Sequence, residues 1–315
     1  MPILFENFRE MLVERLLILG KNEKYNQAVI LAGGAGSGKG HVINTLIGPS
    51  AGGNWKVYDP DALKVTLIDL AKKLVAMKDK LKMAPGGGGR VAPGLKPLLN
   101  ILNTKDPSKI NIKDVADRLA SMDLRNAENV SELHELVKKL GLEQKQFFLT
   151  LQANKDSDFK PNIILDRTLQ REGAAGEMAT MLRNHGYKPE NIHIVWVLAD
   201  YKVALARNYE RGRRVPNFIL LDTHFGAKKT MTELVFKNYG SLGINGDIAV
   251  VMNDGSSFVP QYIRLKKAGE SALDETGLNK VLKAVEKLAP TSKEISPELA
   301  AKYKETNIAP PRPKA

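Results

Sequence analysis

The feature that most constrains this chain is the run Gly33-Gly34-Ala35-Gly36-Ser37-Gly38-Lys39-Gly40, which directly follows the apolar segment Gln27–Ala32. A short apolar run ending in glycines predicts a buried parallel strand, and the residues from Lys39 to Ile47 predict a helix. Between a strand and a helix, glycines let the backbone curl until successive N–H groups point at the phosphates of a ligand. A lysine at the end of such a turn reaches the outer phosphate oxygens. The pattern therefore predicts that Gly33, Gly34, Ala35, Gly36, Ser37, Gly38, Lys39, Gly40 and the adjoining His41 form a phosphate-binding loop.

The spacing is that of a nucleotide-binding P-loop, so ATP or GTP with Mg²⁺ is the expected ligand. One position departs from the usual pattern. The Ser or Thr that follows the lysine and holds Mg²⁺ is replaced by Gly40 and then His41. The metal is then expected on phosphate oxygens, water and carboxylates, in keeping with magnesium's retention of several waters. The other reading of the same departure is a nucleotide binder that has lost its chemistry.

The rest of the chain alternates in a way that fits an α/β fold, a P-loop NTPase-type parallel sheet flanked by helices, with a mainly helical insertion. Strands are expected at Trp55–Tyr58, Asn162–Leu165, Ile192–Leu198 and Asp247–Met252, and helices at Ile3–Leu19, Gly173–Asn184, Lys202–Arg211 and Leu273–Leu288. Residues 1–61 and 161–289 make the core on this reading, and 62–160 the insertion, with helices around Leu63–Leu81, Ile112–Leu119 and Val130–Leu151. Inside it, Met83–Pro97 carries Gly86 to Gly89 between Pro85 and Pro93, a sequence that predicts a mobile loop, read as a surface linker in preference to a substrate lid. Residues 290–315 are expected to be a flexible basic, proline-rich tail ending Pro310-Pro311-Arg312-Pro313-Lys314.

Composition narrows the function classes. With no cysteine among 315 residues, disulfide frameworks, thiolate metal sites and cysteine nucleophiles are excluded, and a cytoplasmic setting is expected. Glu6, Arg9, Glu10, Glu14 and Arg15 interrupt the first apolar stretch, which therefore predicts neither a signal peptide nor a membrane span. A net charge of +12 favours phosphate-bearing partners, nucleic acid among them. No histidine pair has metal-ligand spacing, and His134, His185, His193 and His224 are given no role.

Three further groups carry chemistry. Asp59 and Asp61 follow the second predicted strand, where open α/β sheets assemble their sites. One carboxylate can orient metal-bound water or a substrate while the other takes a proton from an attacking hydroxyl; equally, they can cap the next helix and complement its dipole. Asp166 and Thr168 end a later strand and suit a metal shell, a substrate contact or a helix cap. Arg207, Arg211, Arg213 and Arg214 crowd a helix end, where planar guanidinium forks can clamp phosphoryl oxygens.

Taken together, Gly33–Lys39, Asp59–Lys64, Ile164–Thr168 with Met181-Leu182 and Gly186-Tyr187, and Arg207–Pro216 resemble the zeta-toxin-like P-loop kinases. Chloramphenicol phosphotransferase and polynucleotide kinases are more distant likenesses. The resemblance implies that Lys39 binds phosphate, that Asp61 is the catalytic base, and that Asp166 and Thr168 contact a sugar-nucleotide acceptor. It also implies that Arg207 and Arg213 bind the nucleotide phosphates, with Arg214 as the alternative to Arg213. Aspartate stands at 166 where that family usually has glutamate, and the insertion is longer than the family's pattern.

The expected function is phosphoryl transfer from ATP or GTP to a hydroxyl of a phosphorylated small molecule such as a nucleotide sugar, UDP-N-acetylglucosamine being one candidate. Two alternatives stand beside it: a polynucleotide or RNA 5′-hydroxyl kinase, and a nucleotide-binding structural protein without catalysis. No protein partner is identified by the sequence.

Overall fold

The computed structural model describes residues 25–47, 55–81, 112–139, 151, 158–210, 214–254 and 261–295. The expected helix at Ile3–Leu19, the glycine-rich segment Met83–Pro97 and the chain beyond residue 295 lie outside the described residues. The chain divides into two compact units: 1–58 with 150–210 and 215–315, and 59–149 with 211–214. Among the described residues no helix is long and apolar enough to cross a membrane.

The first unit holds a six-stranded sheet. Its strands are β1 (Ala28–Ala32), β2 (Trp55–Tyr58), β3 (Asn162–Asp166), β4 (Ile192–Ala199), β5 (Ile248–Asn253) and β6 (Gln261–Lys266). They lie in the order β2-β3-β1-β4-β5-β6. The first five are parallel, and β6 runs antiparallel to β5. This is the P-loop NTPase-like α/β architecture that the alternation predicts, with an added antiparallel edge. Strand β6 escaped the sequence reading because it alternates rather than running apolar: Ile263 and Leu265 are interleaved with Tyr262, Arg264 and Lys266.

Every residue of β1 is buried, as are all eight of β4, which is why both read as continuous apolar runs. Val29 and Leu31, two apart and so on one face of β1, pack with Val195, Val197, Ala249 and Val251 of the neighbouring strands. Val42, Ile43 and Ile47 cover them. Those three come from helix α1 (Lys39–Val42) and the wider π turn Ile43–Ile47 that continues it. Each such side chain stabilises the fold by roughly 1.5–3 kcal/mol on burial, so the helix after the glycine loop is held firmly on the sheet.

The second unit contains helices α2 (Pro60–Leu81), α3 (Ile112–Ser121) and α4 (Ala127–Lys139). Ile68, Ala71, Leu119, Met122 and Leu133 form its small core.

The first unit is completed by α5 (Ala174–Asn184), α6 (Tyr201–Glu210), α7 (Asn217–Lys229) and α8 (Glu275–Leu288). Asp274 caps α8 by accepting hydrogen bonds from the Thr276 and Gly277 amides, a device worth about 1 kcal/mol. Helix α7 was not anticipated. It is buried at Asn217, Leu220, Leu221, Thr223, His224, Gly226 and Ala227, so it lacks the one-sided stripe by which a surface helix is recognised. The first residues of the expected tail are anchored: Glu294 accepts hydrogen bonds from Tyr201 and Thr291, and Ile295 packs against the cluster of Tyr201, Leu205, Leu220 and Leu221.

Candidate phosphate-binding site

The glycine loop leaves the carboxyl end of β1, between β3 and β4. Gly38 has φ of 97°, a conformation that side-chain-bearing residues rarely adopt, and a Cβ there would fall 2.8 Å from the Asn253 amide nitrogen. The loop is pinned at several points. Gly33 N donates to Thr168 O at 3.4 Å and Ser37 N to Gly34 O at 3.2 Å. Asn253, the last residue of β5, donates from Nδ2 to Ser37 O at 3.0 Å.

Lys39 folds back over this loop. Its Nζ donates to Gly33 O at 2.8 Å and to Gly34 O at 3.3 Å, and lies 3.7 Å from Asp166 Oδ1. Asp166 arrives there because β3 pairs in register with β1, placing it opposite Leu31. Arg207 on α6 directs Nη1 toward Asn253 Oδ1 at 3.5 Å. Lys39, Asp166, Thr168 and Arg207, distant in sequence, are thus gathered at the carboxyl ends of β1, β3 and β5, where such sheets bind ligands. The Ser37 hydroxyl is buried and has no hydrogen-bond partner among the described residues.

Helix α7 supports the loop from another side. Ala35 N donates to Thr223 Oγ1 at 3.0 Å, and His224 Nε2 donates to Ala35 O at 2.9 Å. Because a carbonyl only accepts, the hydrogen of the neutral imidazole resides on Nε2. Burial, together with the Lys39 ammonium nearby, outweighs the carbonyl's opposing pull and lowers the His224 pKa to about 4. Neither His224 nor Asn253 was singled out as functional by sequence; a lone histidine and a lone asparagine carry no spacing signal.

The remaining expected residues belong to the second unit. Asp59 Oδ1 accepts from Asp61 N at 2.8 Å and Asp59 O from Ala62 N at 3.1 Å, the pattern of a cap at the start of α2. Asp61 Oδ1 accepts from Lys64 Nζ at 2.8 Å, and the Lys64 side chain is 6% exposed against 37% for Asp61. Arg214 is exposed, and its amide donates to Leu124 O at 2.8 Å. Arg211 and Arg213 lie outside the described residues.

For a metal, the described residues contain no group of three His, Cys, Asp or Glu side chains able to hold one. Gly40 offers no ligand atom beyond its backbone, and Gly40 and His41 are exposed. Asp166 is the carboxylate placed against Lys39, so a magnesium ion here fits a shell of one carboxylate completed by phosphate oxygens and water.

No model of a known protein family matches this chain, and no curated protein does. Among solved structures, the chain is similar to one from the native AvrRxo1-ORF1:-ORF2 complex, with 12% identity and a TM-score of 0.47 over 97% of this chain and 84% of that one. The same complex with ATP gives 14% identity and a TM-score of 0.43, over 88% of this chain and 74% of that one. A chain of the PezAT chromosomal toxin–antitoxin system of Streptococcus pneumoniae gives 17% identity and a TM-score of 0.35, over 96% of this chain and 97% of that one.

Proposed function

We propose that this protein is a P-loop phosphotransferase that moves the terminal phosphoryl group of ATP or GTP to a hydroxyl of a phosphorylated small molecule, a nucleotide sugar being the candidate class. The observation that carries the reading is the meeting of Lys39 and Asp166, 3.7 Å apart, over a glycine loop whose curl is held by Thr168, Asn253 and Thr223. A cation and an acid at the mouth of a backbone nest suit a triphosphate that arrives with its metal.

In this reading the loop amides and Lys39 hold the β and γ phosphates, and Arg207, displaced a little from Asn253, donates to the charge that spreads over the transferring group. Magnesium, when bound with the nucleotide, neutralises charge on the β and γ oxygens. Asp166 is assigned to its shell, because the short distance to Lys39 supports a place at the phosphate end. Thr168 is assigned to the acceptor. Asp61 takes the proton of the acceptor hydroxyl as the new oxygen–phosphorus bond forms and the bond to the β-phosphate oxygen breaks, leaving a nucleoside diphosphate. Arg213 or Arg214 is the second phosphate-binding arginine implied by the resemblance.

A second reading, nucleotide binding without transfer, is favoured by two features: Gly40 in place of the hydroxyl residue, and the engagement of Asp61 by Lys64 at 2.8 Å. Incubation with γ-labelled ATP or GTP, Mg²⁺ and a panel of nucleotide sugars, nucleosides and 5′-hydroxyl oligonucleotides separates the two. The kinase reading expects label transfer by the wild type and a loss of about 10²-fold or more in Asp61→Asn, with nucleotide affinity retained. Equal transfer by both proteins removes Asp61 from the role of base. Nucleotide binding with no transfer to any acceptor favours the second reading.

A further inference from the structure

Two consecutive side chains of α7 take both backbone polar groups of one loop residue. Thr223 Oγ1 accepts from Ala35 N at 3.0 Å and itself donates to Leu220 O at 2.7 Å, so its hydroxyl is fixed in direction by the helix. His224 Nε2 donates to Ala35 O at 2.9 Å. Both residues are 5% exposed. The imidazole also lies flat against the preceding residue: a Cβ at Gly34 would fall 2.0 Å from His224 Cδ2. Gly34 therefore serves here to admit the ring, although its φ lies outside the left-handed region.

We propose that Thr223 and His224 are positioning residues of the nucleotide site, holding the Ala35 peptide groups so that the loop keeps the curl its phosphate ligand requires. The inference rests on the reading of Gly33–Lys39 as a nucleotide site. Ala35 directly follows the carbonyls that Lys39 holds and lies inside the turn closed by Ser37 N and Gly34 O. If its peptide groups were released, each would need a new partner, and rotation of the loop is the direct way to find one. An apolar residue at 224 would fill the space but leave the half-buried Ala35 carbonyl without this donor. A lysine there would add a second cation close to Lys39. A neutral, flat donor that fits beside a bare glycine meets all these demands.

Calorimetric titration with ATP, and with GTP in parallel, of the wild type, Lys39→Met, His224→Leu, His224→Gln and Thr223→Val tests the proposal, with thermal melts to confirm folding. Lys39→Met is expected to lose nucleotide binding. His224→Leu is expected to weaken it about tenfold, and Thr223→Val about fivefold, as loss of a part-buried hydrogen bond predicts. His224→Gln, whose amide can donate to the same carbonyl, is expected to stay within about threefold of the wild type. A space-filling role alone predicts the reverse ranking, with leucine at least as good as glutamine. If His224→Leu does not fold, Thr223→Val, which exchanges a hydroxyl for a methyl group, and His224→Gln decide. Wild-type affinity in both His224→Leu and Thr223→Val would overturn the positioning role while leaving the nucleotide site standing. No nucleotide binding by the wild type would remove the site and the positioning role together.

Discussion

Lys39, the first residue of α1, and Asp166, the last residue of β3, face each other across 3.7 Å, while the lysine also donates to two carbonyls of its own loop. The ammonium is therefore held in a fixed direction by the protein's own groups. Asp166→Asn keeps the shape but removes the charge. The expected outcome is nucleotide binding within a few-fold of the wild type, a turnover lower by about 10²-fold, and a higher Mg²⁺ concentration for half-maximal rate. Rates measured across a magnesium series check this; an unchanged magnesium dependence would remove Asp166 from the metal shell.

Asn253 links two parts of the site, donating to Ser37 O and accepting from Arg207. Its replacement by alanine frees both at once. Asn253→Ala is expected to lower kcat/KM about tenfold, with a smaller effect on melting temperature than its partial burial alone suggests, because no apolar volume is lost from the core. Combining it with Arg207→Ala should cost less than the sum of the two single losses, since the residues act through a shared contact. Strict additivity in that cycle would separate their roles.

His224 makes stability depend on acidity. Its pKa is lowered in the folded protein from 6.5 to about 4, so between those values the unfolded chain binds a proton that the folded one refuses. The sign follows: this contribution is fully present above about pH 6.5 and is lost progressively as the pH falls toward about 4. A depression of that size corresponds to about 3 kcal/mol. Denaturant unfolding at a series of pH values should show this slope in the wild type and a shallower one in His224→Gln. An unchanged slope in the variant would assign the acid sensitivity to other groups.

Much of the sheet was legible in the sequence because its central strands are buried on both faces and carry no polar interruption. Ala28–Ala32 and Ile192–Ala199 could hardly be read as anything else. The loop and the strand-end acid Asp166 were legible for a related reason, since both stand where an apolar run stops. Thr223, His224 and Asn253 were not. What they do depends on partners 188, 189 and 216 residues away, and no local pattern encodes such a distance. The helix that carries two of them mixes polar Asn217, Thr223 and His224 with apolar Leu220, Leu221 and Ala227 among its buried residues, which blurs the period that announces a surface helix. The edge strand β6 failed for the opposite reason: Gln261, Arg264 and Lys266 are mixed with Tyr262, Ile263 and Leu265, so half of its side chains are polar and half apolar.

The position of β1 between β3 and β4 also bears on how the protein is made. In the register of the sheet Ala28 pairs with Ile163 on one side and Ile192 on the other, so both neighbours of β1 are synthesised long after it. At translation rates of about 5–20 residues per second, β1 waits on the order of ten seconds for its first partner. During that time a wholly apolar strand has two open edges, the condition under which chains associate with one another or recruit chaperones. A nascent chain arrested before residue 162 holds the complete glycine loop in its sequence and none of the sheet neighbours on which that loop stands.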